Sequence, residues 1–108
     1  MDTITYDDFV KVDIRIGTVT KAEAIPKSKK LVKLEVSFGE ETRTILAGIA
    51  QSFSPETLPG TQVVAVLNLA PREMMGVMSH GMLLAAHGKD GGLFLASCAG
   101  APDGAALG

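Results

Sequence analysis

Val12, Ile14 and Ile16 alternate with Lys11, Asp13 and Arg15, the period of two that marks a strand with one buried face. At Gly17 the alternation shifts phase, to Val19, which predicts a bulge. Ile25-Pro26-Lys27-Ser28-Lys29 ends this strand. A second is predicted where Val32, Leu34 and Val36 alternate with Lys33, Glu35 and Ser37. Gly39-Glu40-Glu41 reads as a hairpin turn and Thr42 to Gly48 as the returning third strand. Upstream, Thr5 and Asp8 have the spacing of a capping box, so Tyr6 to Val10 reads as a short helical turn.

Ser54-Pro55-Glu56 reads as a helix start, with Ser54 as N-cap and Pro55 at the first helical position. Pro59-Gly60 stops it almost at once. Gln62 to Leu67 carries the unbroken run Val63-Val64-Ala65-Val66-Leu67, the pattern of a strand buried on both faces. Met82-Leu83-Leu84-Ala85-Ala86 reads as another strand, and Leu93-Phe94-Leu95 follows the turn Gly88-Lys89-Asp90-Gly91-Gly92. The tail from Ser97 to Gly108 is small, Gly/Ala-rich and of low complexity, and flexible on its own. Several short strands with one helical turn between the third and fourth predict an all-β fold. The layout is that of a five-stranded OB-fold, a Greek-key barrel whose open face binds oligonucleotides. Architecture alone does not assign function, because it hosts many.

Composition narrows the class. A chain of 108 residues is expected to form one domain, with the barrel over about residues 10–95 and an extension over about 96–108. With 46% hydrophobic and 20% charged residues it is not a disordered chain. Its apolar residues are interrupted throughout, so no membrane span is expected, and Met1-Asp2-Thr3-Ile4-Thr5 lacks the features of a signal peptide. One cysteine, Cys98, excludes an intrachain disulfide and fits a reducing cytoplasm.

A net charge of −2 argues against coating nucleic acid by bulk charge. The charge is unevenly placed, however. From Lys11 to Lys33 there are seven basic residues (Lys11, Arg15, Lys21, Lys27, Lys29, Lys30, Lys33) and two acidic ones (Asp13, Glu23). That segment carries +5 and the rest of the chain −7. Two readings stand: a solvated strand-and-loop face, or a surface for a local anionic partner.

Catalytic and metal chemistry find no constellation. The candidate metal ligands His80, His87 and Cys98 are widely spaced and include no Cys-x-x-Cys. A Cys98–His80 nucleophile pair is conceivable, but Cys98 sits among Ala96, Ala99 and Gly100 and reads better as a small buried or tail thiol. There is no phosphate loop, dinucleotide fingerprint or nucleophile elbow. The expectation is therefore no catalytic residue, no metal and no cofactor.

The stretch Asn68 to Ala86 holds four of the five methionines, Met74, Met75, Met78 and Met82. It reads either as a long loop with Met filling gaps under a barrel or as a contact loop. In the second reading Asn68 and Ser79 bond to base edges, Arg72 binds phosphate and a thioether lies against a base. Met82, at the start of a strand, faces the groove or the core, and periodicity leaves the two equal.

Within this stretch Asn68-Leu69-Ala70-Pro71-Arg72-Glu73-Met74-Met75-Gly76 and Ser79-His80-Gly81-Met82-Leu83-Leu84-Ala85-Ala86 resemble a motif of the tRNA-binding domain family. That family is found at the C-terminus of many bacterial methionyl-tRNA synthetases and as free-standing proteins. Asp8 to Gly17 is similar to the family's opening strand, Pro26-Lys27-Ser28-Lys29-Lys30-Leu31 to its basic loop, and Ile45 to Ala50 to its third strand and turn. The resemblance runs in order over roughly Thr3 to Leu95.

The resemblance implies an OB-fold homodimer that binds tRNA without catalysis in the cytoplasm, with methionyl-tRNA synthetase as its covalent or associated partner. It implies that Ser79 and Met82 lie in the RNA-contacting groove, with Asn68 and Arg72 in the same groove motif. Lys29 and Lys30, with Lys27 and Lys33 around the same turn, match the basic loop. It also implies a C-terminal dimerisation extension that orders Phe94 to Leu107. Two departures weaken the predicted charge. The family pattern has lysine where this chain has Ala70, and lysine or another non-acidic residue where it has Glu73, so each lost phosphate contact lowers affinity. A related branch, export-related chaperones of the CsaA type that bind unfolded polypeptides, shares the fold but usually departs from the Ser-x-Gly-Met-Leu-Leu-Ala-Ala pattern kept here.

Overall fold

The computed structural model describes all 108 residues. The chain enters through α1 (Tyr6–Phe9), closed by the anticipated capping box. The Asp8 N–H donates to Thr5 Oγ1 at 3.1 Å and the Thr5 N–H to Asp8 Oδ2 at 3.3 Å. Four strands follow, β1 (Ile14–Ala24), β2 (Val32–Ser37), β3 (Thr42–Ala47) and β4 (Gln62–Val66), with one 3-10 turn at Pro55–Thr57 before the last. They pair antiparallel in the order β3-β2-β1-β4-β7, where β7 is Met82–Leu83. The sheet curls until β3 meets the chain entering β7. There the His80 N–H donates to the Thr44 carbonyl at 2.8 Å. The result is a nearly closed five-stranded barrel with one short helix, the OB-like layout the alternation predicts.

The core shows why the alternation was informative. Val32, Leu34 and Val36 are fully buried, and they pack with Val19, Ile45, Ala47, Leu58, Val63, Ala65 and Leu67. Along β4, Val63 and Ala65 face this cluster while Val64 and Val66 are buried on the opposite side, as an apolar run without alternation requires. The bulge lies just past Val19 rather than at Gly17. Pairing of Ile14–Thr18 with β4 is regular, and the register with β2 shifts between Val19 and Lys21. Gly17 has another duty: a Cβ there would come within 2.7 Å of the Val36 and Phe38 side chains, so its absence lets β2 close on β1.

Three segments differ from the sequence pattern. The stretch after Asn68 is a hairpin instead of a long loop: β5 (Arg72–Met74) pairs with β6 (Val77–Ser79) across the turn Met75-Gly76. Both turn residues have positive φ, 52° and 79°, as a type I′ turn demands. Met82 to Ala86 is not one strand. β7 pairs with β4, the chain steps at Leu84, and β8 (Ala85–His87) turns away to pair with β9 (Leu93–Leu95). Leu84 keeps both sides satisfied, donating to the Val64 carbonyl and accepting from the Ala96 N–H.

The low-complexity tail, finally, is fastened to its own barrel. β10 (Ala106–Leu107) pairs with Ile14 and Arg15. Gln62 grips the tail from both ends of its amide, accepting from the Cys98 N–H at 2.6 Å and donating to the Ala101 carbonyl at 3.3 Å. Thr18 donates to Asp103 at 2.6 Å. Small residues suit this path, because a Cβ on Gly104 would stand 2.5 Å from the Phe38 carbonyl oxygen. No helix is long and apolar enough to cross a membrane.

Candidate nucleic-acid interface

The outer surface of β3 is the floor of the candidate site. Lys33 stands directly opposite Leu46 in the β2–β3 register, so both lie on the face away from Leu34 and Ile45, where Leu46 is covered to 5% exposure. Leu46 and Met82 line one shallow groove of about 420 Å³, walled by Gly48, Ile49, Leu84 and His87. Met82 is 47% exposed, which takes it out of the core and puts its thioether on the groove.

The basic loop borders the same groove. Ser28 shapes it, its hydroxyl accepting the N–H groups of Lys30 (3.3 Å) and Leu31 (3.0 Å). The Ala50 N–H donates to the Lys30 carbonyl at 2.9 Å, tying the loop to the groove wall at Gly48 and Ile49. Lys27, Lys29 and Lys30 are exposed and Lys33 is half-buried. None has a carboxylate partner: the ion pairs join Lys11 to Asp8, Arg15 to Asp13, Lys21 to Glu23 and Arg43 to Glu41. Lys27, Lys29 and Lys30 therefore face water without an ion pair, while Lys33 stands opposite Glu23 of β1 without closing one.

Ser79 is 3% exposed. Its Oγ accepts the Leu46 N–H at 2.9 Å and donates to the Gly81 carbonyl at 3.0 Å, which pins the β5–β6 hairpin to the floor strand. Asn68 is exposed, yet both ends of its amide are engaged. Oδ1 accepts the Asp13 N–H at 2.8 Å and Nδ2 donates to the Lys11 carbonyl at 2.5 Å, so it anchors the segment that enters β1. Arg72 is exposed on β5 opposite Ser79 and makes no ion pair. The structure thus sets Lys33 opposite Leu46 and ties the loop of Lys29 and Lys30 to the wall of the groove that Met82 lines, keeps Arg72 free on the hairpin, and commits Ser79 and Asn68 to holding the framework.

Sequence reasoning missed Arg43. Its Nη1 donates to the Leu67 carbonyl at 2.6 Å and the His80 carbonyl at 3.2 Å, and Nη2 pairs with Glu41 at 3.2 Å. It thereby staples the two ends of the hairpin segment to β3. The signal was available: Arg43 shares the inward phase of Ile45 and Ala47 and stands opposite Val36, and a charge at an inward strand position requires partners.

One other cleft suits RNA poorly. A cleft of about 700 Å³ is lined by Asp13, Glu40, Glu41 and Asp103 around Arg15, which would repel phosphate. His80, His87 and Cys98 lie on separate elements: the β6–β7 turn, β8 and the tail.

Residues 14–105 match the family model described as "Putative tRNA binding domain". The chain belongs to that family. Among proteins of this tRNA-binding-domain family, the methionine–tRNA ligase of Bacteroides fragilis is 50% identical over 90 residues, 83% of this chain but 13% of the relative. The chain thus spans about an eighth of the length of the relatives it matches. The methionyl-tRNA-synthetase-related protein of Pyrococcus horikoshii superposes with a TM-score of 0.93 at 42% identity, covering 99% of each chain. The chaperone CsaA of Bacillus anthracis superposes with a TM-score of 0.89 at 33% identity, covering 99% of this chain and 100% of that one. Against the family pattern, Ala70 and Glu73 are exposed on the hairpin segment, and Glu73 faces Met78 across the hairpin without a basic partner.

Proposed function

We propose that this domain is a non-catalytic tRNA-binding module of the cytoplasm, acting free-standing or appended to methionyl-tRNA synthetase. The observation that carries the reading is a cluster of lysines that close no ion pair, Lys27, Lys29, Lys30 and Lys33, on a loop tied by the Ala50–Lys30 hydrogen bond to the strand end that walls the apolar groove of Leu46 and Met82, with Lys33 directly opposite Leu46. The lysines supply phosphate attraction that is long-ranged and insensitive to sequence. Arg72 adds a phosphate contact from the hairpin, and Met82 offers a soft apolar surface to a base or ribose. Ser79 and Asn68 serve binding by holding the walls in place. With Ala70 and Glu73 in the groove motif, affinity is modest. The module then acts by raising the local concentration of tRNA around a synthetase. The tail, folded back along β1, presents its small-residue surface to a second copy in a homodimer.

The test is tRNA binding measured by fluorescence anisotropy from 50 to 300 mM salt, with an unfolded polypeptide as parallel ligand. Saturable tRNA binding with a negative log–log salt slope supports the reading. A second reading, capture of unfolded polypeptide in the manner of a CsaA-type chaperone, draws on exposed Leu69, Met75 and Met78. Polypeptide binding without tRNA binding would establish it instead.

A further inference from the structure

Three of the methionines between Asn68 and Ala86 are exposed, two on the hairpin and one, Met82, on the groove. Met75 is 53% exposed, Met78 42% and Met82 47%. Their exposure follows from the backbone. Met75 occupies the first position of the type I′ turn at φ 52°, where the chain has no neighbour to cover it. Met78 stands across the hairpin from exposed Glu73. Met82 lies over the groove formed with Leu46 and Leu84. The fourth methionine of the segment, Met74, is half-buried opposite Val77. Thioethers are as apolar as the leucines beside them but chemically unlike them, since the sulfur lone pair is nucleophilic and open to two-electron oxidants.

We propose that Met75, Met78 and Met82 are peroxide-reactive modification positions and that oxidation, at Met82 on the groove above all, lowers RNA affinity; this rests on the tRNA-binding reading above. In the step, the thioether sulfur attacks the distal oxygen of a hydroperoxide. The S–O bond forms, the O–O bond breaks, and the departing oxygen takes the proton and leaves as water or an alcohol. The sulfur is oxidised by two electrons and the peroxide reduced by two. The product sulfoxide is neutral, so phosphate attraction by the lysines is untouched. It is also polar and bulkier, so the soft apolar contact at the groove is lost. A sulfoxide reductase drawing on a thiol reverses the change.

The experiment treats the folded chain with hydrogen peroxide, maps oxygen gain by peptide mass spectrometry, and measures tRNA affinity against salt before treatment, after it and after reduction with a methionine sulfoxide reductase. Sulfoxide should form at Met75, Met78 and Met82 ahead of Met74. Affinity should then fall about 2- to 10-fold, the range of a lost sulfur–aromatic contact, with the salt slope unchanged, and return on reduction. Whatever its own tRNA affinity, the M75L/M78L/M82L variant should bind equally well before and after peroxide. Sulfoxide at the three sites with unaltered affinity, Met74 oxidising first, or a triple variant as sensitive as the parent overturns the inference. Untreated protein that binds no tRNA overturns the functional reading, and with it the affinity consequence proposed here, before any peroxide is added.

Discussion

The two sides of the candidate interface, the basic loop and the β5–β6 hairpin, are built on opposite principles. On one side, the loop Pro26 to Leu31 is shaped by a single serine, leaves its lysines without partners, and offers charge that acts over a Debye length. On the other, the β5–β6 hairpin carries an exposed acid, Glu73, and is held by two polar staples from β3, through Ser79 and Arg43. What it offers is apolar surface that acts only on contact. The loop can be stripped of its cations with the barrel intact. The hairpin cannot lose its staples without moving. Attraction and shape are therefore separable in this molecule, and substitutions on the two borders should be told apart by salt and by heat.

The largest effect is expected on the hairpin side. Ser79→Ala removes the buried acceptor of the Leu46 N–H and the donor to Gly81. An unsatisfied buried amide costs about 1–3 kcal/mol, so the melting temperature should drop by roughly 4–8 °C per kcal/mol in a domain of this size. Binding to tRNA should weaken with it, because the hairpin loses its fixed position. A melting temperature unchanged by Ser79→Ala would break the comparison, since the hairpin would then stand without its staple.

On the loop side, Lys29→Ala combined with Lys30→Ala should leave the melting temperature nearly unchanged, because both side chains are exposed and unpaired. The log–log salt slope of tRNA binding should fall by about one to two units, near 0.7 per lost contact to a single strand. An unaltered slope would mean that the loop does not touch phosphate.

How far these roles could be read from sequence depends on how far apart the partners lie. Val32, Leu34 and Val36 announced their strand because one face of a period-two pattern is fully buried. Lys27 to Lys33 announced the loop by charge and by Pro26. The hairpin was silent because its turn uses Met75 where Asn is the usual sign of a left-handed residue. Ser79 looked like a free hydroxyl because its partner Leu46 is 33 positions away in the chain. The step at Leu84 was hidden inside an apolar run, which shows that residues are buried but not which strand each one pairs with. Thus the charged border was legible and the shaped border was not: charge is a property of composition, whereas the staples exist only after folding.

A smaller effect sharpens the contrast at the groove itself. Met82→Ala truncates a side chain that is 47% exposed, so it should cost well below the ~2–5 kcal/mol of a buried truncation. Affinity for tRNA should fall about 2- to 10-fold at an unchanged salt slope, the mark of a neutral contact. A large loss of stability with affinity retained would return Met82 to the core.

The smallest effect tests whether the loop's geometry matters as well as its charge. Lys27 holds φ at 70°, in the left-handed region where a side chain costs roughly 1–2 kcal/mol and glycine nothing. Lys27→Gly relieves that strain but gives the unfolded chain more freedom, an opposing term of about 0.4–1 kcal/mol. The balance should be a gain of a few tenths of a kcal/mol, read as a melting temperature that rises slightly. The same change removes one cation, so tRNA affinity should drop while stability rises. Lys27→Asn gives the control, because asparagine tolerates the left-handed region and also lacks the charge. If both variants melt slightly higher and both bind more weakly by the same factor, Lys27 contributes charge from a strained backbone position. If Lys27→Gly binds far more weakly than Lys27→Asn, the turn at Lys27 also orients Lys29 and Lys30, and the charged border has a shape of its own.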